Sequence, residues 1–254
     1  MLSAATTSRP APSLPSSSFA IPERESPMPN PAPVPNPAPA PSPAARAPVP
    51  GRADLDPDND GIVAPPDIIP DCEALLTAAG VRFHRAELRL NKSRSGYTCG
   101  APQVVVYRGG PDGPSWKAPP LVTCGLALAF VRFEAILREE SEQRLGSRVV
   151  SIDQGGTYNC REMARFAHVS EHSYANAIDV RSFRLADGRA ISVKHYFGRP
   201  SEKPKGPEGA FLRALARRLY DEEVFSVVLT EYFDRLHRDH FHLDMARYRV
   251  DGTR

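Results

Sequence analysis

From about Asp71 onward the chain alternates between two hydrophobic periods, and the alternation lays out its elements in order. Cys72 to Ala79 reads as a short helix ended by Gly80. Val81 to Leu90 largely alternates apolar with polar residues, the period of a half-buried strand. Gln103 to Tyr107 is a second strand, stopped by Gly109-Gly110-Pro111. Thr123 has the character of a helix N-cap, Cys124 to Leu145 is the longest helical run, and Gly146 supplies its stop. Arg148 to Ile152 returns to the strand period.

Further on, Ala177 to Arg184 reads as a strand whose hairpin partner is Ile191 to Val193, across Ala186-Asp187-Gly188. Pro207 precedes a second helix, Gly209 to Glu222, with Phe211, Leu212, Leu215 and Leu219 on one face. Phe225 to Leu229 and His240 to Met245 are further strands. Helices mixed with hairpin-linked strands, without regular β-α-β repetition, predict an α+β domain built on an antiparallel sheet.

Composition separates the N-terminal part from this domain. Residues 1–66 hold 18 of the 27 prolines, and Met28 to Pro50 alternates Pro with Ala, Asn, Val and Ser. So little large apolar surface cannot offset chain ordering, so this segment is expected to be a disordered, polyproline-like tether. Residues 71–254 are near the usual size of a single domain. Asp56-Pro57-Asp58-Asn59-Asp60-Gly61 begins like a calcium loop, and Asp67 even occupies its twelfth position. Pro65 and Pro66, and the lack of a helical pattern before the loop, favour an acidic solvated linker instead. Arg138-Glu139-Glu140-Ser141-Glu142 reads as the solvated face of its helix.

The net charge of +2 is close to neutral and the basic residues are dispersed, so nothing calls for nucleic acid or an anionic membrane as partner. No run approaches the ~18 apolar residues of a membrane-spanning helix. A monomer is expected. Met1 to Ala20 has one Arg and no apolar h-region, so no clear secretory signal is read there. Four cysteines, Cys72, Cys99, Cys124 and Cys160, form no C-x-x-C pair. Their even number favours two disulfides in an oxidising compartment such as a bacterial periplasm, over four buried thiols. An extracytoplasmic location is therefore expected despite the N-terminus. The pairing taken is Cys72 with Cys99 and Cys124 with Cys160, one of three arrangements open to four cysteines.

Candidate chemistry concentrates in two stretches, Ser170 to Asp179 (SEHSYANAID) and His237 to His242 (HRDHFH). Four of the seven histidines fall there; His84, His168 and His195 lie outside and read as surface or core residues. Two imidazoles and a carboxylate can hold a zinc ion with a fourth position open, and two imidazoles remain for proton transfer. A turn through Ala175-Asn176 into a strand carrying Asp179 would bring Asp179 back toward His172. His240 and His242, two apart on a strand, share a face, so one can bind metal beside the other. The competing reading is structural histidines or a degenerate site.

Ser170-x-His172-x-x-Ala175-x-Ala177-x-Asp179 resembles the S-x-H-x-x-G-x-A-x-D motif of the LAS-type zinc peptidases, which include D-alanyl-D-alanine carboxypeptidases and murein endopeptidases. His237-x-x-His240-x-His242 is similar to their C-terminal H-x-H element. The segment Gly156 to Arg161, the two motif blocks and the proline-rich leader look closest to bacterial extensin-like proteins. The family glycine is Ala175 here. The resemblance implies a DD-peptidase-like architecture and zinc bound by His172, Asp179 and His242. It further implies that His240 acts as base or transition-state partner and that His237 hydrogen-bonds substrate or a developing oxyanion. Arg161 would contact a substrate carboxylate or polarise the scissile carbonyl, or else be an ordinary salt-bridge partner. Ser170 would support or contact substrate, and Asp239 matches a family glutamate base, leaving the base open between His240 and Asp239. The implied activity is zinc-dependent hydrolysis of amide bonds in peptidoglycan stem peptides, as carboxypeptidase or endopeptidase. The alternatives are a metal-containing module that binds such peptides without cleaving them, and a structural protein whose prolines interact with the wall.

Overall fold

The computed structural model describes residues 64–93, 96–163 and 168–254. Most of the expected tether and the calcium-like loop's Asp56 to Gly61 lie outside the described residues. In chain order the elements are α1 (Cys72–Ala78), β1 (Arg82–Lys92), β2 (Thr98–Gly109), β3 (Ser115–Trp116), β4 (Leu121–Thr123), α2 (Cys124–Leu145) and β5 (Val149–Gly156). They are followed by a 3-10 turn (Glu171–Tyr174), β6 (Ala177–Leu185), β7 (Ala190–Ser192), α3 (Val193–Tyr196), α4 (Gly206–Asp221) and β8 (Val227–Leu229). A second 3-10 turn (Arg235–His237), β9 (Phe241–Asp244) and β10 (Val250–Gly252) complete the order. The result is α+β.

Helix α2 forms where its signals are. The Thr123 side chain accepts a hydrogen bond from the Leu126 N–H, and Gly146 ends the helix in the left-handed region at φ 66°. Its inner face carries Phe130 and Phe133, which meet Trp116, Tyr107 and Phe225 in an aromatic cluster. Such a cluster contributes through burial and through ring pairing of about 0.5–1.5 kcal/mol each. Helix α4 begins with Pro207 in its first turn, and Phe211, Leu212, Leu215 and Leu219 are fully buried as their spacing predicts. Across the helix pair, Arg218 of α4 forms ion pairs with Glu139 and Glu140 of α2.

The strands form two sheets, one of order β1-β2-β4 and one of order β10-β8-β9-β6-β5-β3 with β7 paired to β6. The expectation of an antiparallel sheet needs one correction. Both outer pairs of the larger sheet, β3 with β5 and β10 with β8, are parallel. Parallel neighbours need a long crossover, which β4 and α2 supply between β3 and β5; β9 separates β8 from β10. The centre of the sheet, where the histidine motifs lie, is antiparallel.

The cysteine pairing also differs from expectation. Cys72 is bonded to Cys124 and Cys99 to Cys160, with Cα–Cα distances of 6.0 and 5.7 Å. Cys72 and Cys124 are the first residues of α1 and α2, which pack together. The β1–β2 hairpin carries Cys99, paired with Asn91, toward its turn end and against the segment that follows β5. Sequence proximity is thus overridden by the hairpin. Among the described residues no helix is long and apolar enough to cross a membrane.

Candidate metal centre

The first motif folds as a capped turn that feeds a strand. The Ser170 side chain accepts from the His172 N–H and starts the 3-10 turn, so this serine has a structural task. Ala175 ends the turn in the left-handed region at φ 53°, and the Asn176 N–H donates to the Glu171 carbonyl. The chain then enters β6 at Ala177. On β6, Asp179 lies directly opposite His242 of β9 on one side and Gly156 of β5 on the other. Residues directly opposite in an antiparallel pair present their side chains on the same face. His172 comes back over that face from the turn.

The three groups meet. His172 Nε2, Asp179 Oδ1 and His242 Nδ1 are each 3.2 Å from the other two. Zinc bonds of ~2.0–2.1 Å at tetrahedral angles put neighbouring ligand atoms about 3.3 Å apart, so this triangle has the size of one face of a zinc tetrahedron. The outer ring nitrogens explain why both imidazoles are oriented for it. His172 Nδ1 faces the Thr157 carbonyl at 3.3 Å, and His242 Nε2 faces Asp244 Oδ2 at 2.9 Å. Both partners are acceptors, so each outer nitrogen carries the hydrogen and each inner nitrogen of a neutral ring presents a lone pair. Three lone pairs converging at this distance require a positive centre, either a proton or a cation.

The electrostatics express the same demand. Burial pushes the Asp179 carboxyl upward, but hydrogen bonds with His172 and His242 outweigh it and hold Asp179 well below the usual carboxylate range. Burial alone would depress His242, yet its bonds to Asp179 and Asp244 raise it to about 10. Without a metal, a proton on His242 occupies the centre. Behind it, burial and the neighbouring Asp244 push the Glu171 carboxyl up to about 8. Glu171 is held by the Asn176 Nδ2–H at 2.7 Å, while Asn176 Oδ1 accepts from the Thr123 hydroxyl at 2.8 Å.

The remaining motif residues divide into two groups. His240 lies in the bend that precedes β9 and not on the strand as expected, yet its Nε2 still comes to 3.6 Å from Asp179 Oδ1. Its Nδ1 is 2.9 Å from Asp239 Oδ1, so Asp239 orients His240. Side-chain exposure is 3% for His172 and 12% for His242 but 23% for Asp179, so the cluster is open on the side of Asp179. His237 has its ring 5.4 Å from that of His240, and its Nδ1 is 2.8 Å from Asp234 Oδ1. Desolvation lowers His237 to about 4, which leaves it neutral at pH 7.

Arg161 is placed differently. Its backbone N–H donates to the Ser173 hydroxyl, while its guanidinium is exposed and donates to the Glu162 carbonyl. Sequence reasoning passed over Asp244, Asp234 and the Thr157 carbonyl. Asp244 carried a usable signal, because it follows His242 by two residues on the same strand and so shares its face. A backbone carbonyl has no such signal.

The family model described as Extensin-like protein C-terminus matches residues 70–253. No curated protein matches, and no solved structure matches.

Proposed function

We propose that this chain, which belongs to the extensin-like C-terminal family over residues 70–253, is a zinc-dependent hydrolase of amide bonds in peptidoglycan stem peptides, a carboxypeptidase or an endopeptidase. The observation that carries the proposal is the triangle of His172, Asp179 and His242 ligand atoms at 3.2 Å, with both outer ring nitrogens committed to acceptors. The relation to LAS-type peptidases and their fold belongs to this proposal and rests on the motif resemblance.

When bound, zinc supplies a Lewis acid and lowers the pKa of a water toward about 7. His240 is the group suited to take the proton. Asp239 fixes its Nδ1–H and turns the Nε2 lone pair to the open side of the cluster. In this reading Asp239 is the positioning residue and His240 the base, which the contact between them supports. His237, neutral and donating Nδ1–H to Asp234, keeps Nε2 as an acceptor. That suits a substrate N–H better than a developing oxyanion. Arg161 lies with its guanidinium on a backbone carbonyl, which does not favour a substrate role. The two disulfides support an extracytoplasmic location, where the wall is reached.

The test is digestion of purified sacculi with zinc-loaded protein, followed by mass analysis of the released fragments. Loss of a terminal alanine identifies a carboxypeptidase, and separated crosslinks identify an endopeptidase. Bound zinc and retained affinity for stem peptides without turnover would identify a binding module instead.

A further inference from the structure

A concave site lies at the end of β5 away from the candidate metal centre. Its cavity of about 530 Å³ is bounded by the loop from Gly110 to Pro114, by the middle of α2 and by the start of β5. Val149 lines it, whereas Gly156 at the far end of the same strand pairs with Asp179. At ~3.3 Å per residue the two sites are about 23 Å apart along the strand.

Three arginines from three elements line this cavity: Arg82 of β1, Arg138 of α2 and Arg148 just before β5. All three are exposed, and none forms an ion pair or side-chain hydrogen bond among the described residues. Their neighbours behave otherwise. Arg132 and Arg144 on α2 are paired with Glu222 and Glu140. The acids at the cavity are Asp112, in the loop, and Glu134, which is committed internally. Glu134 Oε1 accepts from the Trp116 Nε1–H and Oε2 from the Gly110 N–H, each at 2.9 Å.

Those bonds also make the cavity wall rigid. Glu134 pins Gly110, and a β-carbon at Gly113 would collide with its carboxylate. On the other side Pro111 packs so closely that a β-carbon at Gly80 would come within 2.7 Å of its Cγ. The loop is thus fixed before any ligand arrives, which reduces the ordering cost of binding. Guanidinium groups recognise carboxylate and phosphate oxygens through paired N–H donors.

We propose that this cavity binds a ligand carrying two or more anionic oxygen groups, phosphate or carboxylate, independently of the metal centre. The anion would bridge Arg82 and Arg148, with Arg138 closing the third side. Two probes separate the sources: inorganic pyrophosphate for phosphates and propane-1,2,3-tricarboxylate for carboxylates, each titrated calorimetrically into the full chain. One of them should bind once per chain with a dissociation constant below about 1 mM. Arg82→Gln and Arg148→Gln should each weaken it about tenfold, with circular dichroism unchanged because both side chains are exposed. His172→Ala should leave it unaltered, which excludes binding at the metal centre. Failure of both probes to bind in that range would overturn the proposal, as would unchanged affinity in the two arginine variants.

Discussion

His172 Nε2 and His242 Nδ1 face each other at 3.2 Å while their outer nitrogens are held by the Thr157 carbonyl and the Asp244 carboxylate. Two neutral imidazoles so held cannot hydrogen-bond to each other, because neither inner nitrogen carries a hydrogen. With Asp179 added, they form a site for which, under the proposed function, a proton and a divalent ion would compete.

That competition has a sign. The metal-free His242 titrates near 10 in the folded chain against an ordinary value of 6.5. A raised histidine stabilises fully below 6.5, and the contribution is lost as pH climbs toward 10. Metal-free protein should therefore lose stability across this interval. Stabilisation by added zinc should grow over the same interval as the proton leaves. Urea unfolding at a series of pH values, with and without zinc, measures both. A zinc increment that shrinks as pH rises would contradict the assignment.

Asp244 orients His242 and raises its basicity without touching the centre itself. Asp244→Asn should lower zinc affinity about 10–100-fold in a competition assay with a chromophoric chelator, while the chain stays folded. Unaltered affinity would remove Asp244 from the site.

Much of this is legible in the sequence. The Thr123 hydroxyl and the left-handed backbone of Gly146 bound α2 where the sequence marks them, whereas His240 reaches Asp179 from the bend before β9 and not from the strand itself. The turn through Ala175 into β6 brings Asp179 back to His172. What escaped notice has physical reasons. β3, β4 and β10 span two or three residues, too few to show a period. The Cys72–Cys124 bond depends on the packing of α1 on α2, which no local pattern encodes. Asp234 reaches His237 only through a 3-10 turn that the sequence did not announce.

If His240 is the base, His240→Ala should reduce turnover of a stem-peptide substrate about 10²–10⁴-fold and leave zinc content unchanged. Asp239→Asn should cost less, about tenfold, because the ring loses its orienting charge but not its lone pair. Steady-state kinetics beside metal analysis checks both. Loss of zinc in His240→Ala would make this residue a ligand instead.

The Cys99–Cys160 bond ties β2 to the segment whose Asn159 N–H donates to the His172 carbonyl. Replacing both cysteines by Ala should lower the unfolding free energy by about 2–4 kcal/mol. Zinc affinity should fall as well, since the support of His172 is loosened. Chemical denaturation and the chelator assay measure the two effects.

Ala175 occupies a left-handed position that glycine fills more easily, and its fully buried methyl group packs near Ala101 and Val104. Relief of roughly 1 kcal/mol of strain is opposed by the lost methyl contact and by the added freedom of the unfolded chain. Ala175→Gly should therefore lie within about 1 kcal/mol of the parent in urea unfolding. A loss of several kcal/mol would mean that the turn depends on the methyl group.

The most direct measurement is zinc content per chain after equilibrium dialysis, for the parent and for His172→Ala, Asp179→Ala and His242→Ala. One ion should remain in the parent and none in any of the three variants. An empty parent, or an ion retained in all three variants, would contradict the metal centre and the hydrolytic reading with it.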